Sequence, residues 1–182
     1  MSLSPIQRSR GIPSAVGVDH VAITVPDLQQ ALDFFTDVLG CEHVFTAGPF
    51  SDPDGDWMQT NLGVDRRASA SLAMVRCGPS QNVEIFQYDV PDQTTRSPRN
   101  SDVGATHIAF RVTDMDRAVA YLRAQPGVTV LGTPTPVSGQ PNGGLTFVYF
   151  QTPWGLSMEL VCYDRLDYEA STSARMFSVA PG

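Results

Sequence analysis

One stretch of this chain is written twice, and that repeat constrains the fold more than any other feature. Residues 18–40 read VDHVAITVPDLQQALDFFTDVLG and residues 105–127 read ATHIAFRVTDMDRAVAYLRAQPG. Without a gap, His20 aligns with His107, Val25 with Val112, Asp27 with Asp114, Ala31 with Ala118, Phe34 with Tyr121 and Gly40 with Gly127. A second pair of segments follows: Glu84-Ile-Phe-Gln-Tyr88 and Glu159-Leu-Val-Cys-Tyr163. Such self-similarity means one structural unit used twice. A repeated fold needs repeated apolar and turn residues. It has no need of a repeated histidine and glutamate, so that excess points to function.

Local pattern gives each copy the order β-α-β-β-β. Residues 20–25 are apolar and β-branched, as a strand requires. Asp27 is placed as a helix N-cap, Leu28, Ala31, Leu32, Phe35, Val38 and Leu39 follow at helical spacing, and Gly40 closes the helix. Residues 42–46, 69–76 and 82–88 read as strands, the last two joined by a Gly78-Pro79 turn. The order returns as strand 106–112, Asp114 cap, helix 115–125, strands 128–131 and 145–151, the turn Thr152-Pro-Trp-Gly155, and strand 157–163. The expected organisation is an N-terminal arm (1–16), a first module (17–90), a polar linker (91–104), a second module (105–163) and a C-terminal tail (164–182).

Composition narrows the chemistry. All twelve cationic residues are arginine, which excludes lysine Schiff bases and the P-loop lysine. A net charge of −7 with no basic run argues against a nucleic-acid surface. No apolar run approaches the roughly 20 residues of a membrane span, and the N-terminal segment lacks a signal-peptide apolar region. Cys41, Cys77 and Cys162 are an odd, scattered set, which suits reduced thiols and a cytoplasmic protein better than a disulfide framework.

Strand alternation gives the repeated residues a direction. Val21, Ile23 and Val25 point toward the amphipathic helix, while His20, Ala22 and Thr24 oppose it. In the second copy His107, Ala109 and Arg111 take the opposing face. Glu84, Phe86 and Tyr88 share one face, as do Glu159, Val161 and Tyr163. Imidazole nitrogens and carboxylate oxygens are a borderline-hard ligand set, so His20, Glu84, His107 and Glu159 are expected to bind one divalent ion: Ni, Co, Mn, Fe or Zn. Four such ligands leave two positions of an octahedral ion for water or substrate. Taken singly each residue has a plainer reading, a hydrogen-bonded core histidine or a solvated glutamate; the matched set favours the ion.

Other candidates are weaker. Asp52-Pro-Asp-Gly-Asp56 lacks the EF-hand ligand order and reads as a surface turn. His43 has no counterpart in the second copy and reads as structural or exposed. Gly143-Gly144 reads as a hairpin turn. The cysteines have no base at identifiable spacing, and no nucleophile elbow is present.

DHVAITVPDLQQALDFFTDVLG, THIAFRVTDMDRAVAYL and FVYFQTPWGLSMELV together resemble the vicinal oxygen chelate superfamily, which includes glyoxalase I, methylmalonyl-CoA epimerase, extradiol dioxygenases and the bleomycin- and fosfomycin-resistance proteins. The resemblance covers residues 17–163. It implies an α+β fold of two tandem β-α-β-β-β modules forming an open, barrel-like sheet around one metal ion, with His20, Glu84, His107 and Glu159 as ligands. The chain departs from many members in having Thr-Pro-Trp-Gly at the final turn and an Asp-rich insertion over 46–68.

The expected chemistry is proton transfer. A chelated substrate with two adjacent oxygens has its carbonyl polarised, and the neighbouring C–H becomes acidic. By resemblance to glyoxalase-like relatives, Glu159 doubles as ligand and base, with Glu84 as its partner. Tyr88, Tyr163 and Arg111 are candidate substrate-facing groups. An isomerase, epimerase or lyase is therefore expected. The alternatives are an Fe(II) extradiol-type dioxygenase and a non-catalytic binding or resistance protein. Glu84 argues against the dioxygenase because the two-His one-carboxylate triad is complete without it. Retention of all four ligands argues against the binding module. A small-molecule substrate and a homodimer, with contacts from the tail, complete the expectation.

Overall fold

The computed structural model describes residues 12–139 and 141–177. Residues 1–11 of the expected arm, Gln140, and residues 178–182 of the tail lie outside the described residues. The chain is α+β and divides into two compact units, residues 1–93 and 94–182.

In the first unit the order is β1 (His20–Thr24), α1 (Leu28–Asp33), β2 (Glu42–Ser51), α2 (Trp57–Leu62), β3 (Ser69–Arg76) and β4 (Asn82–Asp89). The four strands form one sheet in the order β1-β4-β3-β2, with β1 parallel to β4 and the other pairings antiparallel. Asp27 caps α1, its carboxylate accepting from the Gln30 N–H at 2.8 Å. Instead of one α-helix to residue 39, the chain widens into a π-helical stretch over Phe34–Val38. An i→i+5 bond turns each residue through a smaller angle, so consecutive Phe34 and Phe35 both reach the core. They meet edge to face there with Ile23, Val25, Ala31, Ala73, Val75, Val83 and Ile85.

The insertion expected over 46–68 lengthens β2 to Ser51 and supplies α2. Strand β2 is irregular, with register shifts at His43/Phe45 and Ala47/Phe50. Met58 of α2 is fully buried in a second, smaller cluster with Ala68, Ala70, Phe50, Phe86 and Tyr88. The register puts Ala70 beside Tyr88 and Phe50 beside Ala70, so this cluster lies on the Glu84 face, opposite α1.

The second unit repeats the plan. Its elements are β5 (Ile108–Arg111), α3 (Met115–Arg123), β6 (Thr129–Pro136), β7 (Leu145–Gln151) and β8 (Ser157–Tyr163), with sheet order β5-β8-β7-β6. Asp114 caps α3 by accepting from the Arg117 N–H at 2.9 Å. Met115, Val119 and Leu122 of α3, and Val148, Phe150, Met158 and Leu160 of the sheet, make up the core. The Thr152–Gly155 turn is held by the buried Thr152 hydroxyl, which accepts from the Leu156 N–H at 3.0 Å. Gly155 supplies the left-handed backbone there, at φ 87°. Strand β6 runs past the expected residue 131 to Pro136, taking in Pro134. It is the last strand of its sheet, where a missing N–H breaks no ladder bond.

The expectation of three free thiols is corrected. Cys41 and Cys77 form a disulfide, and only Cys162 is free among the described residues. The cause is strand register. Glu42 at the start of β2 pairs with Arg76 at the end of β3, so the residues just outside them face each other with Cα atoms 4.4 Å apart. The cysteine-based argument for a reducing compartment therefore falls away. Among the described residues no helix is long and apolar enough to cross a membrane.

Candidate functional site

Each unit brings one histidine to one glutamate by the same device. In the first, Ala22 of β1 pairs with Glu84 of β4, and His20 stands two residues earlier on the same face. The small alanine leaves room for the imidazole to lean across. His20 Nε2 lies 3.3 Å from Glu84 Oε2. In the second, Ala109 of β5 pairs with Glu159 of β8. His107, just ahead of β5, brings Nε2 to 3.3 Å from Glu159 Oε2.

The partners of His20 define what its ring can do. Its Nδ1 sits 2.8 Å from Asp19 Oδ1. An ionised carboxylate only accepts, so Nδ1 carries the hydrogen and a neutral ring turns the Nε2 lone pair toward Glu84. A lone pair and a carboxylate oxygen at that distance repel unless a positive centre joins them. In the protein alone a proton can serve: the hydrogen bond to Asp19 raises the His20 pKa, burial opposes the rise, and the charge of Glu84 adds to it. A divalent cation fits the same two donors.

Glu159 makes the same case from the carboxylate side. It is only 13% exposed, and burial raises its pKa, with the charge and hydrogen bond of His107 opposing. A carboxylate short of compensating charge is a cation ligand or a base. Among the described residues the His, Cys, Asp and Glu side chains form no group of three or more suited to one ion, and each unit brings two such donors together.

The aromatic candidates line the same faces. Tyr88 stacks on Phe86 at 5.2 Å, and its pKa is raised by burial and by the charge of Glu84. Tyr163 is raised by burial first, then by the charges of Glu159 and Tyr168, with Arg111 opposing. Both phenols therefore stay protonated at neutral pH and can donate. The Arg111 guanidinium lies over the Phe177 ring, 4.6 Å from its centroid.

Two residues absent from the sequence expectation join this face. Tyr149 of β7 pairs directly with Glu159, meets the His107 ring edge to face at 5.3 Å, and has its pKa raised by burial and by the charge of Glu159. Counting back from the Thr152–Gly155 turn would have found it. Phe177 packs edge to face on Tyr163 at 5.7 Å. No periodicity in the tail marks it.

The weaker candidates are structural. His43 Nε2 pairs with the Thr46 hydroxyl at 2.9 Å on β2. Asp52 accepts from the Trp57 N–H at 3.0 Å, which ties the acidic turn to the start of α2. Gly143 and Gly144 are buried beside Asp167 and Arg165, where added Cβ atoms would collide.

The chain is similar to known proteins over most of its length. The chain is 50% identical over 169 residues to a 2-epi-5-epi-valiolone epimerase from an Actinomyces species, covering 92% of this chain and 91% of that one. Among solved structures, a glyoxalase family protein from Bacillus cereus matches with TM-score 0.63 at 20% identity, covering 84% of this chain and 99% of its own. One from Enterococcus faecalis matches with TM-score 0.56 at 24% identity, covering 80% and 97%. These two share the fold. The family described as Glyoxalase/Bleomycin resistance protein/Dioxygenase superfamily matches residues 19–150. The chain belongs to that superfamily.

Proposed function

We propose that this protein is a divalent-metal-dependent epimerase that moves a proton on the carbon beside a carbonyl, with 2-epi-5-epi-valiolone as the substrate to test. The observation that carries the reading is the His–Glu pair, made in both units at the same strand positions and the same 3.3 Å separation. Half of the residues are shared with an epimerase named for that compound, across nearly the full length of both chains.

In this reading His20, Glu84, His107 and Glu159 hold the ion. When bound, the ion would polarise the substrate carbonyl and acidify the adjacent C–H. Glu159 takes the proton, its half-buried carboxylate standing on the face where the substrate would sit. Glu84, the second carboxylate of the set, would relay a proton from water to the other side of the carbon, while Glu159 releases the one it took to solvent. Tyr149, Tyr163 and Tyr88, all kept protonated, donate to substrate oxygens. A homodimer is part of the proposal.

Metal analysis of the purified protein, followed by NMR of 2-epi-5-epi-valiolone in deuterated water, tests it. Inversion with deuterium uptake, persisting without oxygen and after exchange into Ni, Co or Mn, is the expected result. A strict need for Fe(II) and O₂, with oxygen consumed in step with substrate, would replace the epimerase by the dioxygenase.

A further inference from the structure

We infer that the C-terminal segment, residues 165–177, forms a wall of the substrate site, and that Phe177 is a positioning residue that holds Arg111 in place to read a substrate oxygen. This rests on the proposed function, in which the Glu159 face takes the substrate.

The segment is pinned to its own unit. The Asp164 N–H donates to the Gly144 carbonyl at 2.9 Å, and Arg165 pairs with Asp167 at 2.7 Å. After a short 3-10 turn at Asp167–Ala170 the chain doubles back. Arg175 meets Glu169 at 3.4 Å, and the Met176 N–H donates to the Tyr168 hydroxyl at 3.0 Å. This places Phe177 against Arg111 and Tyr163 together.

The position is specific to the ligand-bearing face. His107, Ala109 and Arg111 alternate along one side of the chain, and Ala109 is the partner of Glu159. Arg111 is thus one strand step beyond the base, roughly 7 Å along β5. That is about the span of a small oxygenated ring. Among the described residues Arg111 has no carboxylate within ion-pair distance. The Phe177 ring lies 4.6 Å from the Arg111 guanidinium carbon, a cation–π contact that fixes the group and still leaves it N–H donors for a ligand. A neutral substrate with an oxygen remote from its reacting carbon suits those donors. In the first unit Thr24 holds the place of Arg111. There the Tyr88 end of the face is closed by Met58 of the insertion. Only the second unit therefore offers a cation at that position.

The test is steady-state kinetics on 2-epi-5-epi-valiolone with full-length, metal-loaded protein. Arg111→Met should raise KM about 10- to 100-fold, the range for a lost charged hydrogen bond, with kcat within about threefold. Phe177→Ala should raise KM about 5- to 10-fold with metal content and melting temperature unchanged, and Phe177→Tyr should restore it. Because Phe177 acts through Arg111, the double variant should be no worse than Arg111→Met alone. Unchanged KM in Phe177→Ala, or effects that multiply in the double variant, would overturn the inference while leaving the epimerase reading in place. A wild-type protein that neither inverts the compound nor exchanges its proton would end the epimerase reading, and this inference with it.

Discussion

The Cys41–Cys77 disulfide gives a stability prediction whose size follows from its position. The two cysteines are 36 residues apart in sequence. Closing a loop of that length in the unfolded chain removes about 13 cal/mol/K of entropy, or about 4 kcal/mol at 25 °C. Residual structure in the unfolded chain reduces this, so about 2–4 kcal/mol is expected. The link also closes one end of the first sheet. At the same end Arg76 pairs with Glu42 and the Asn82 side chain donates to the Asp19 carbonyl at 3.0 Å, next to His20. Urea unfolding of the oxidised protein, of the same protein with reductant, and of Cys41→Ala/Cys77→Ala would measure it. At a slope near 2 kcal/mol/M the midpoint of the first unit should fall by roughly 1–2 M in the last two. Reduced wild type and the double variant should agree, because both lose the same constraint. Three titratable thiols in the denatured, unreduced protein, or coincident curves in all three samples, would refute the reasoning.

Further outcomes follow from the site and the surface. His20→Ala and His107→Ala should each lower metal occupancy sharply, read by elemental analysis, with the circular dichroism spectrum retained; full occupancy at equal stability would remove these residues as ligands. Glu159→Gln should keep more metal than Glu159→Ala, since an amide oxygen still coordinates, yet lose about 10²-fold or more of the proton exchange, since an amide is a poor base. Arg67 holds the Asp65 carboxyl at about 2 through a side-chain hydrogen bond. Its folded pKa lies below the unfolded value, so its contribution is present above the ordinary carboxylate pKa and is lost as pH falls toward 2. Acid-unfolding curves of Asp65→Asn and wild type should therefore differ near neutrality and converge below pH 2. Light scattering should give the mass of two chains at micromolar concentration, and a monomer unaffected by deletion of 165–182 would count against the dimer.

The parts of this molecule that can be read from sequence are those set by local period. Apolar alternation located β1, β3, β4, β7 and β8, and Asp27 and Asp114 marked both helix starts. The same alternation put His20 with Glu84 on one face, and His107 with Glu159. Features that need two distant segments in register were not legible. The disulfide depends on β2 meeting β3 across two register shifts. Neither Phe177 nor Met58 belongs to a repeating pattern, and each finds its place only when the tail or the insertion folds onto a finished sheet. The expected strand 128–131 stops short of Pro134 and Pro136, which the observed strand takes in, because the pattern does not say which strand will lie at an edge.

Those prolines bear on a hazard unrelated to catalysis. An outer strand presents unpaired N–H and C=O groups to any passing chain, and a regular one is a template for aggregation. Here β6 ends its sheet with two residues that have no N–H to offer, and β2 ends the other with a bulged ladder and Pro49 in its span. These two rims are poor templates for strand addition, and the opposite outer strands, β1 and β5, are only 5 and 4 residues long. The protein should consequently resist edge-to-edge aggregation at high concentration, and Pro134→Val with Pro136→Val is the change most apt to release it.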